Sequence, residues 1–149
     1  MPADIQTIKT FELFKDLKPE ELEQLAALMH PIRITEGEVL TRRTDPAHSF
    51  YVVLSGNYMI YFKEGRAFTL HNRGDIIGMA TVITPFRYRG TTVALTDGEV
   101  LEIAGDKFLD LIQSDAALGD RLMHRLNDIL AERTVFPEGK KPPETVEAD

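Results

Sequence analysis

The chain has 149 residues, of which 43% are apolar and 28% charged, and its formal net charge is −7. This length suffices for one hydrophobic core, and the composition is that of a soluble globular protein. The longest apolar runs, such as Phe50–Leu54, are far shorter than the about 20 residues that cross a bilayer. No cysteine is present for disulfides or zinc–thiolate sites. Because the N-terminus also lacks a secretion signal, we expect a cytoplasmic protein without membrane contact.

The acidic excess argues against a nucleic-acid surface. A protein that binds duplex needs clustered Lys and Arg side chains to displace counterions from the phosphates. The longest basic runs here are the pairs Arg42-Arg43 and Lys140-Lys141. We therefore expect no direct DNA binding by this chain, although the charge balance leaves room for a local positive pocket.

The first thirty residues show a helical pattern. The run Lys18-Pro19-Glu20-Glu21 favours a helix start, because proline fits the first turn and the carboxylates stabilise the positive end of the dipole. Apolar residues recur at helical spacing from Leu22 to Met29, and Pro31 ends the segment. The earlier run Phe11–Phe14 is predicted to supply apolar anchors.

Residues 31–104 show short strands separated by turn signals. Runs rich in Val, Ile, Tyr, Phe and Thr, such as Tyr58–Phe62, alternate with turns such as Ser55-Gly56-Asn57 and Asp97-Gly98. Many short strands without long helices between them predict an antiparallel roll or barrel.

Helical patterns return in residues 105–135. Lys107 to Gln113 is predicted to form a short helix, and Ser114 or Asp115 to cap a longer one that runs to about Val135. One stripe of the longer helix is apolar and consists of Leu118, Leu122, Leu126 and Ile129. Residues 136–149 hold three prolines and a glycine and are predicted to be a disordered tail.

The segment Gly74–Leu95, GDIIGMATVITPFRYRGTTVAL, is the most informative one for function. It is typical of a loop, a short helical turn and a strand. A bound phosphate needs free backbone N–H groups at a helix start, and a guanidinium that donates two parallel hydrogen bonds. Gly78 would let the backbone approach a phosphate, the turn that begins at Met79 would offer N–H groups, and Arg89 would supply the guanidinium.

This segment resembles the phosphate-binding cassette of cyclic-nucleotide-binding domains, as found in the catabolite activator protein and in cyclic-nucleotide-dependent kinases and channels. Further family landmarks occur in the family's order, in Leu17–Leu22, Gly37-Glu38 and Asp45–Gly56. The resemblance covers about residues 5–135. It implies an antiparallel β-roll (a double-stranded β-helix or jelly-roll) over 31–104, with N-terminal helices before it and a long C-terminal helix after it. The helix-turn-helix domain of the transcription-factor members is expected to be absent.

The resemblance also assigns candidate site residues. The cassette contacts to the ligand's phosphate correspond to Gly78, Met79, Ala80, Arg89, Gly90 and Thr91. Arg89-Gly90-Thr91-Thr92-Val93 matches the family's Arg-small-small-x-Val pattern, and Arg87 is a second candidate. The resemblance implies cAMP, cGMP or another phosphate-bearing small molecule as the ligand.

One substitution in the cassette alters this expectation. Met79 stands where the family pattern places a glutamate that accepts a hydrogen bond from the ribose 2′-hydroxyl, and Gly90 adds no hydroxyl beside the arginine. Loss of a bond to a charged acceptor costs about 1.5–3 kcal/mol. Glu38 and Glu99 are conceivable replacements. The sequence therefore predicts either weakened or altered ligand binding, or a pocket plugged by Met79 in a dimerisation or protein-interaction module.

Two further alternatives stay open. Arg89 faces an anion, or it is a strand arginine paired with a surface carboxylate. The apolar stripe of the long helix packs on the roll, or it pairs with the same helix of a second subunit. The family favours a homodimer in which ligand occupancy repositions this helix and alters contact with an unidentified protein partner.

Motifs for catalysis or metal binding do not stand out. A metal oxygenase on a related barrel needs two neighbouring histidines and a carboxylate that converge on one ion. The four histidines are scattered, without a His-x-His pair, at His30, His48, His71 and His124. No Ser-His-Asp arrangement or P-loop stands out either, so we expect no enzyme activity and no metal.

Overall fold

Two antiparallel four-stranded sheets form the centre of the molecule. The structure is a computed structural model, and it describes residues 3–79 and 87–134. The helices are α1 (Ile5–Ile8), a 3₁₀ helix (Glu12–Phe14), α2 (Pro19–Ala26), α3 (Gly105–Ser114) and α4 (Ala116–Thr134). The strands are β1 (Met29–Ile34), β2 (Val39–Thr41), β3 (Ser49–Ser55), β4 (Tyr58–Phe62), β5 (Ala67–Leu70), β6 (Ile76–Ile77), β7 (Gly90–Ala94) and β8 (Gly98–Ala104).

The strand orders are β1-β8-β3-β6 in the first sheet and β2-β7-β4-β5 in the second, with antiparallel pairing throughout these ladders. The predicted β-roll with flanking helices is thereby confirmed. The predicted strand Tyr58–Phe62 is β4, with the same bounds. Within the described ranges, no helix combines the length and the apolar character needed to cross a bilayer.

The first sheet is buried on both faces, which creates two cores. Successive side chains of a strand point to opposite faces. Accordingly Phe50 and Val52 of β3 lie in a core shared with the helices, whereas Tyr51 and Val53 lie in a core shared with the second sheet. We call these the helix core and the roll core. Only a strand between two apolar layers can be so uniformly apolar, which explains the run at β3.

The roll begins earlier along the chain than the sequence pattern indicates. Helix α2 ends at Ala26, and Met29 already belongs to β1, where it pairs with Ile103 and is buried. The boundary was expected after residue 30, with Met29 in the helix. Pro31 lies within the strand, and it is tolerated there because β1 is at the sheet edge, where a missing N–H breaks no required ladder bond.

The apolar stripe of α4 is buried within the chain. Leu118, Leu122 and Leu126 are 0%, 0% and 4% exposed in the helix core, and Ile129 packs against it. Asp115 caps this helix, since its Oδ1 accepts a hydrogen bond from the Leu118 N–H at 3.2 Å. The packing on the same chain is therefore present, and pairing of the stripe with a second subunit stays a prediction.

Ion pairs attach the exposed side of α4 to the N-terminal helices. Arg121 pairs with the buried carboxylate of Glu21, and Arg125 lies 3.5 Å from Glu12 and 3.3 Å from Asp16. These ion pairs and the apolar stripe join α4 to the segment before the roll. The predicted helix end at Val135 and the predicted disordered tail 136–149 lie outside the described residues.

Candidate ligand-binding site

Arg89 immediately precedes β7, and it follows by two residues Arg87, which forms a short β-bridge with Pro46. It is half-buried, and its Nε is a buried donor without a hydrogen-bond acceptor among the described residues. The described residues also place no carboxylate within ion-pair distance of it. A buried donor without a partner costs about 1–3 kcal/mol, and more when charged. An anion at this position would remove that cost.

Gly78 turns the chain away from β6 toward the cassette turn. Its φ of +81° lies in the left-handed region, which side chains rarely adopt. A Cβ at this position would also lie 3.0 Å from Cε1 of Tyr88. The positive φ therefore favours glycine, and a side chain here would also press against the Tyr88 ring. The chain is helical at Met79, and the next predicted contact, Ala80, lies outside the described residues.

Tyr88 locks the segment that carries Arg89. Its backbone N–H donates to the Asp45 carbonyl at 3.0 Å, and its carbonyl accepts from the Thr44 N–H at 2.9 Å. Its hydroxyl donates to the Ser49 carbonyl. Thr44 has a φ of +75°, an outlier for a β-branched residue, and such conformations persist only where surrounding contacts enforce them. Arg89 is thus presented from a rigid frame.

The two residues after Arg89 are held by close packing and hydrogen bonds. A Cβ on Gly90 would lie 2.9 Å from Cγ1 of Ile60 and 3.1 Å from Cε1 of Phe62, so no hydroxyl-bearing side chain fits there without rearrangement. Thr91 accepts a hydrogen bond at Oγ1 from the Arg43 N–H at 3.0 Å. Its hydroxyl can still donate one.

The fold, the glycine turn at Gly78 and the arginine just before β7 agree with one family. The sequence profile of the cyclic nucleotide-binding domain matches residues 31–115, more than half of the chain. The chain belongs to the cyclic nucleotide-binding domain family. It is accordingly a ligand-sensing regulatory domain in its general class.

Relatives of this cyclic nucleotide-binding domain occur inside longer proteins. An NTE family protein of Mycobacterium bovis is 26% identical over 91% of this chain and 23% of its own length. A cAMP-dependent protein kinase regulatory subunit of Colletotrichum orbiculare is 26% identical over 70% of this chain and 27% of its own length. The chain thus spans about a quarter of the curated relatives it matches. A crystallised protein from Geobacter metallireducens has the same fold, with a TM-score of 0.78, 21% identity and coverage of 87% and 97% of the two chains.

Met79, which replaces the glutamate of the family pattern, is an apolar side chain packed inside the protein. Its side chain is 1% exposed and belongs to the helix core, together with Phe50 and Phe108. It is therefore a core residue in this conformation. Of the conceivable replacements, Glu38 accepts a hydrogen bond at Oε1 from the Thr35 N–H at 3.0 Å, and Glu99 lies across from Arg33 in the β1–β8 register.

Arg87, the second candidate for contact with the phosphate, already makes a hydrogen bond within the protein. Its Nη1 donates to the Thr44 carbonyl at 2.8 Å, and its side chain is exposed. Its role toward a ligand stays a prediction. Among the residues that the structure describes, no three His, Asp or Glu side chains converge so that they could hold a metal ion.

Sequence reasoning missed Tyr88 and the stack of Arg66 on Phe62, where the guanidinium carbon lies 4.3 Å from the ring centroid. An aromatic residue between two arginines was the available signal for Tyr88. The stack of Arg66 depends on the turn between β4 and β5, which brings its guanidinium over the ring of Phe62, four residues earlier.

Alkaline pH is expected to destabilise the fold through three buried phenols, one of which, Tyr88, lies in the segment that carries Arg89. Burial raises the pKa of Tyr51, Tyr58 and Tyr88 above the usual value, which is about 10. The stability that these neutral phenols contribute to the folded protein is fully present below the pKa of the unfolded chain. It is lost as the pH rises through the pKa of the folded protein. Tyr88→Phe should cost about 1 kcal/mol at pH 7 through loss of the Ser49 bond, and this deficit should shrink above pH about 10.

Urea denaturation of both proteins at several pH values checks this expectation. Tyr61→Phe, at a residue that is 45% exposed, is the matched control and should cost far less stability at pH 7 than Tyr88→Phe, because it removes no buried hydroxyl. A deficit for Tyr88→Phe that stays constant into the alkaline range would contradict the assignment.

Proposed function

We propose that this chain is a non-catalytic regulatory domain that binds a cyclic nucleotide or a similar phosphate-bearing ligand through Arg89 and the backbone turn that begins at Gly78. The observation that carries the proposal is the buried Nε of Arg89, which has no acceptor in the described part of the chain. A phosphate oxygen would satisfy this donor with a charge-assisted hydrogen bond. The Thr91 hydroxyl, two residues further along, adds a possible donor.

The replacement of the cassette glutamate sets the expected affinity. Met79 cannot accept a hydrogen bond from a ribose hydroxyl, and it is packed in the helix core. The missing bond corresponds to a roughly 10- to 150-fold weaker complex than a full site would form. We therefore expect the phosphate to dominate recognition and the sugar to add little.

Transmission of the signal is proposed to run through α4. The cassette residue Met79 and the leucine stripe of α4 belong to the same helix core. We propose two packings of this core that differ in the position of α4. A ligand that binds one packing more tightly shifts the population toward it, by an amount set by the difference between its affinities for the two packings. The responding partner is an attached domain or a separate protein, since the match covers only 23% and 27% of the length of the two relatives.

A second function is favoured by the packing of Met79. Because this side chain is buried rather than left beside an open space, the domain could serve as a dimerisation or protein-interaction module without a ligand. In that case Arg89 would face no anion in the cell.

Calorimetric titration of the full chain with cAMP and with cGMP tests the proposed function. We expect saturable binding to at least one of them that weakens as salt is added, because the main contact is ionic. Absence of heat with both nucleotides, together with unchanged melting temperatures at millimolar ligand, would favour the interaction module instead.

A further inference from the structure

The second sheet is built without charged residues. Its strands β2, β4, β5 and β7 have the sequences VLT, YMIYF, AFTL and GTTVA, which contain no Asp, Glu, Lys, Arg or His. Yet 28% of the residues in the chain are charged. One side of this sheet packs in the roll core, and the solvent side of an antiparallel sheet ordinarily carries polar residues. The solvent side here lacks the charges that would keep it apart from other proteins.

The strand register identifies the side chains on this solvent side. Ile60 belongs to the roll core, so its neighbours along β4, Met59 and Tyr61, point to the other side of the sheet. Residues that pair across antiparallel strands point to the same side, so the residues paired with these two also belong to it. We call this side the outer face. Apart from Thr91 of the candidate site, it consists of Val39, Met59, Tyr61, Ala67, Thr69 and Val93.

The outer face also holds the large hydrophobic side chains that are most exposed in the described part of the chain. These are Tyr61, at 45% exposure, and Leu95, at 41%. Leu95 directly follows β7, and its N–H donates to the Asn57 carbonyl at 2.8 Å, so it extends the β4–β7 ladder. Alternation places it on the same side as Val93, two residues earlier. Contiguous exposed hydrophobic surface of this kind marks an interaction site.

Opposite charges flank the two ends of the outer face. At one end lie Glu36 and Glu38, just before β2, and Asp97, whose Oδ1 accepts a hydrogen bond from the Glu36 N–H at 2.8 Å. All three residues are exposed. The other end is formed by the exposed segment Arg42–Asp45, which holds two arginines and one aspartate and follows β2. One end is therefore acidic, and the other carries a net positive charge.

We propose that the outer face binds the outer face of a second copy of this chain, with equivalent strands of the two copies running in opposite directions. In a twofold pair the same patch meets itself, so a charged centre would place like charges together, and an uncharged centre avoids this cost. A twofold axis that runs across the strands puts the acidic end of one copy opposite the basic end of the other.

The alternative dimer surface, helix α4, is less suited to this role in the described part of the chain. Its apolar stripe is already buried in the helix core. Its exposed positions beyond Ala117 are polar or charged, namely Asp120, Arg121, His124, Asn127 and Asp128. Pairing through α4 would thus bring like charges together, whereas pairing through the outer face would not.

The size of the outer face sets the expected affinity. Four strands about 4.8 Å apart and five residues at about 3.4 Å each give a face of about 19 Å by 17 Å. Contact areas of this size are at the small end of the range for specific complexes and are typical of transient ones. We therefore expect a reversible dimer with a dissociation constant between about 10 μM and 1 mM.

Sedimentation equilibrium of the full chain over this concentration range tests the proposal. Tyr61→Lys should weaken the dimer by about 10-fold or more, because each dimer would bury the added charge twice. Asn127→Lys adds the same charge at an exposed position of α4 and is the matched control. It should change the dissociation constant by less than about 3-fold.

A charge exchange between the two ends supplies an independent arm. Glu36→Lys alone and Arg43→Glu alone should each weaken the dimer by about 3-fold or more, because each places like charges together across the axis. The double variant should restore the parent affinity. A chain that stays monomeric throughout, or a dimer weakened by Asn127→Lys but not by Tyr61→Lys, would overturn the proposal. Failure of the double variant to restore the affinity would overturn the proposed orientation of the two copies. Nucleotide binding does not enter these measurements, so their outcome is independent of the proposed function.

Discussion

Replacing Arg89 with glutamine is expected to weaken binding of the nucleotide ligand by roughly 10- to 150-fold, the value of one hydrogen bond to a charged group. The same substitution should leave the free energy of unfolding unchanged or slightly higher. The reason is that the buried Nε has no acceptor in the described part of the chain, so its removal breaks no internal bond. Paired calorimetric titrations and urea denaturation curves of the two proteins measure both effects.

Arg33→Gln is the matched control for this experiment, since Arg33 is exposed on β1 and is not a candidate ligand contact. It should change affinity by less than about 3-fold, the scale of exposed charge effects. If Arg89→Gln instead lowered the free energy of unfolding by more than about 1 kcal/mol and left binding intact, Arg89 would be a structural ion-pair residue. Such a result would remove the basis of the proposed function.

Met79→Glu is expected to destabilise the protein by about 3 kcal/mol or more, without restoring strong ribose recognition. Met79 is 1% exposed in the helix core, an apolar cluster whose other members include Phe50 and Phe108. Burial raises the pKa of a carboxyl group above its unfolded value. The destabilisation should therefore be smallest at low pH, below about 4.3, and should grow as the pH rises through the folded pKa.

Urea denaturation of Met79→Glu between pH 4 and pH 8 measures this dependence, and Met79→Leu is the volume-conserving control. Because Leu preserves apolar packing, it should cost less than about 1.5 kcal/mol at every pH. A stable Met79→Glu protein that binds cAMP more tightly than the parent would show that position 79 borders an open pocket. The core position assigned to Met79 would then be incorrect.

Several features of the fold could be predicted because short-range physics determines them. Asp115 was a candidate N-cap, and its carboxylate accepts the Leu118 N–H. The strand Tyr58–Phe62 was predicted with the bounds that β4 has. Gly78 was singled out as the residue that lets the backbone approach a phosphate, a role that stays a prediction, and its positive φ gives a structural reason for a glycine there. Caps, alternation and glycine turns involve neighbours within a few residues, so the sequence displays them directly.

Other features depend on partners that are distant in the sequence. Met29 has helical spacing with Leu22 and Leu25, yet it belongs to β1, because pairing with Ile103 outweighs the local pattern. The α4 stripe was compatible with two partners, and burial of Leu118 and Leu122 in the helix core identifies one of them. Periodicity predicts that a face is apolar but not what covers it.

The candidate site likewise has some features that the sequence predicts and others that depend on tertiary contacts. The sequence alone determined the family fold, the loss of the cassette carboxylate at Met79 and the candidacy of Arg89, since these follow from residue identity and order. Only the tertiary structure decided that the Arg89 Nε is buried, that Met79 lies in the helix core and that Phe62 links Arg66 to Gly90. Burial and stacking arise from contacts across sheets and hairpins, and no local pattern encodes those distances.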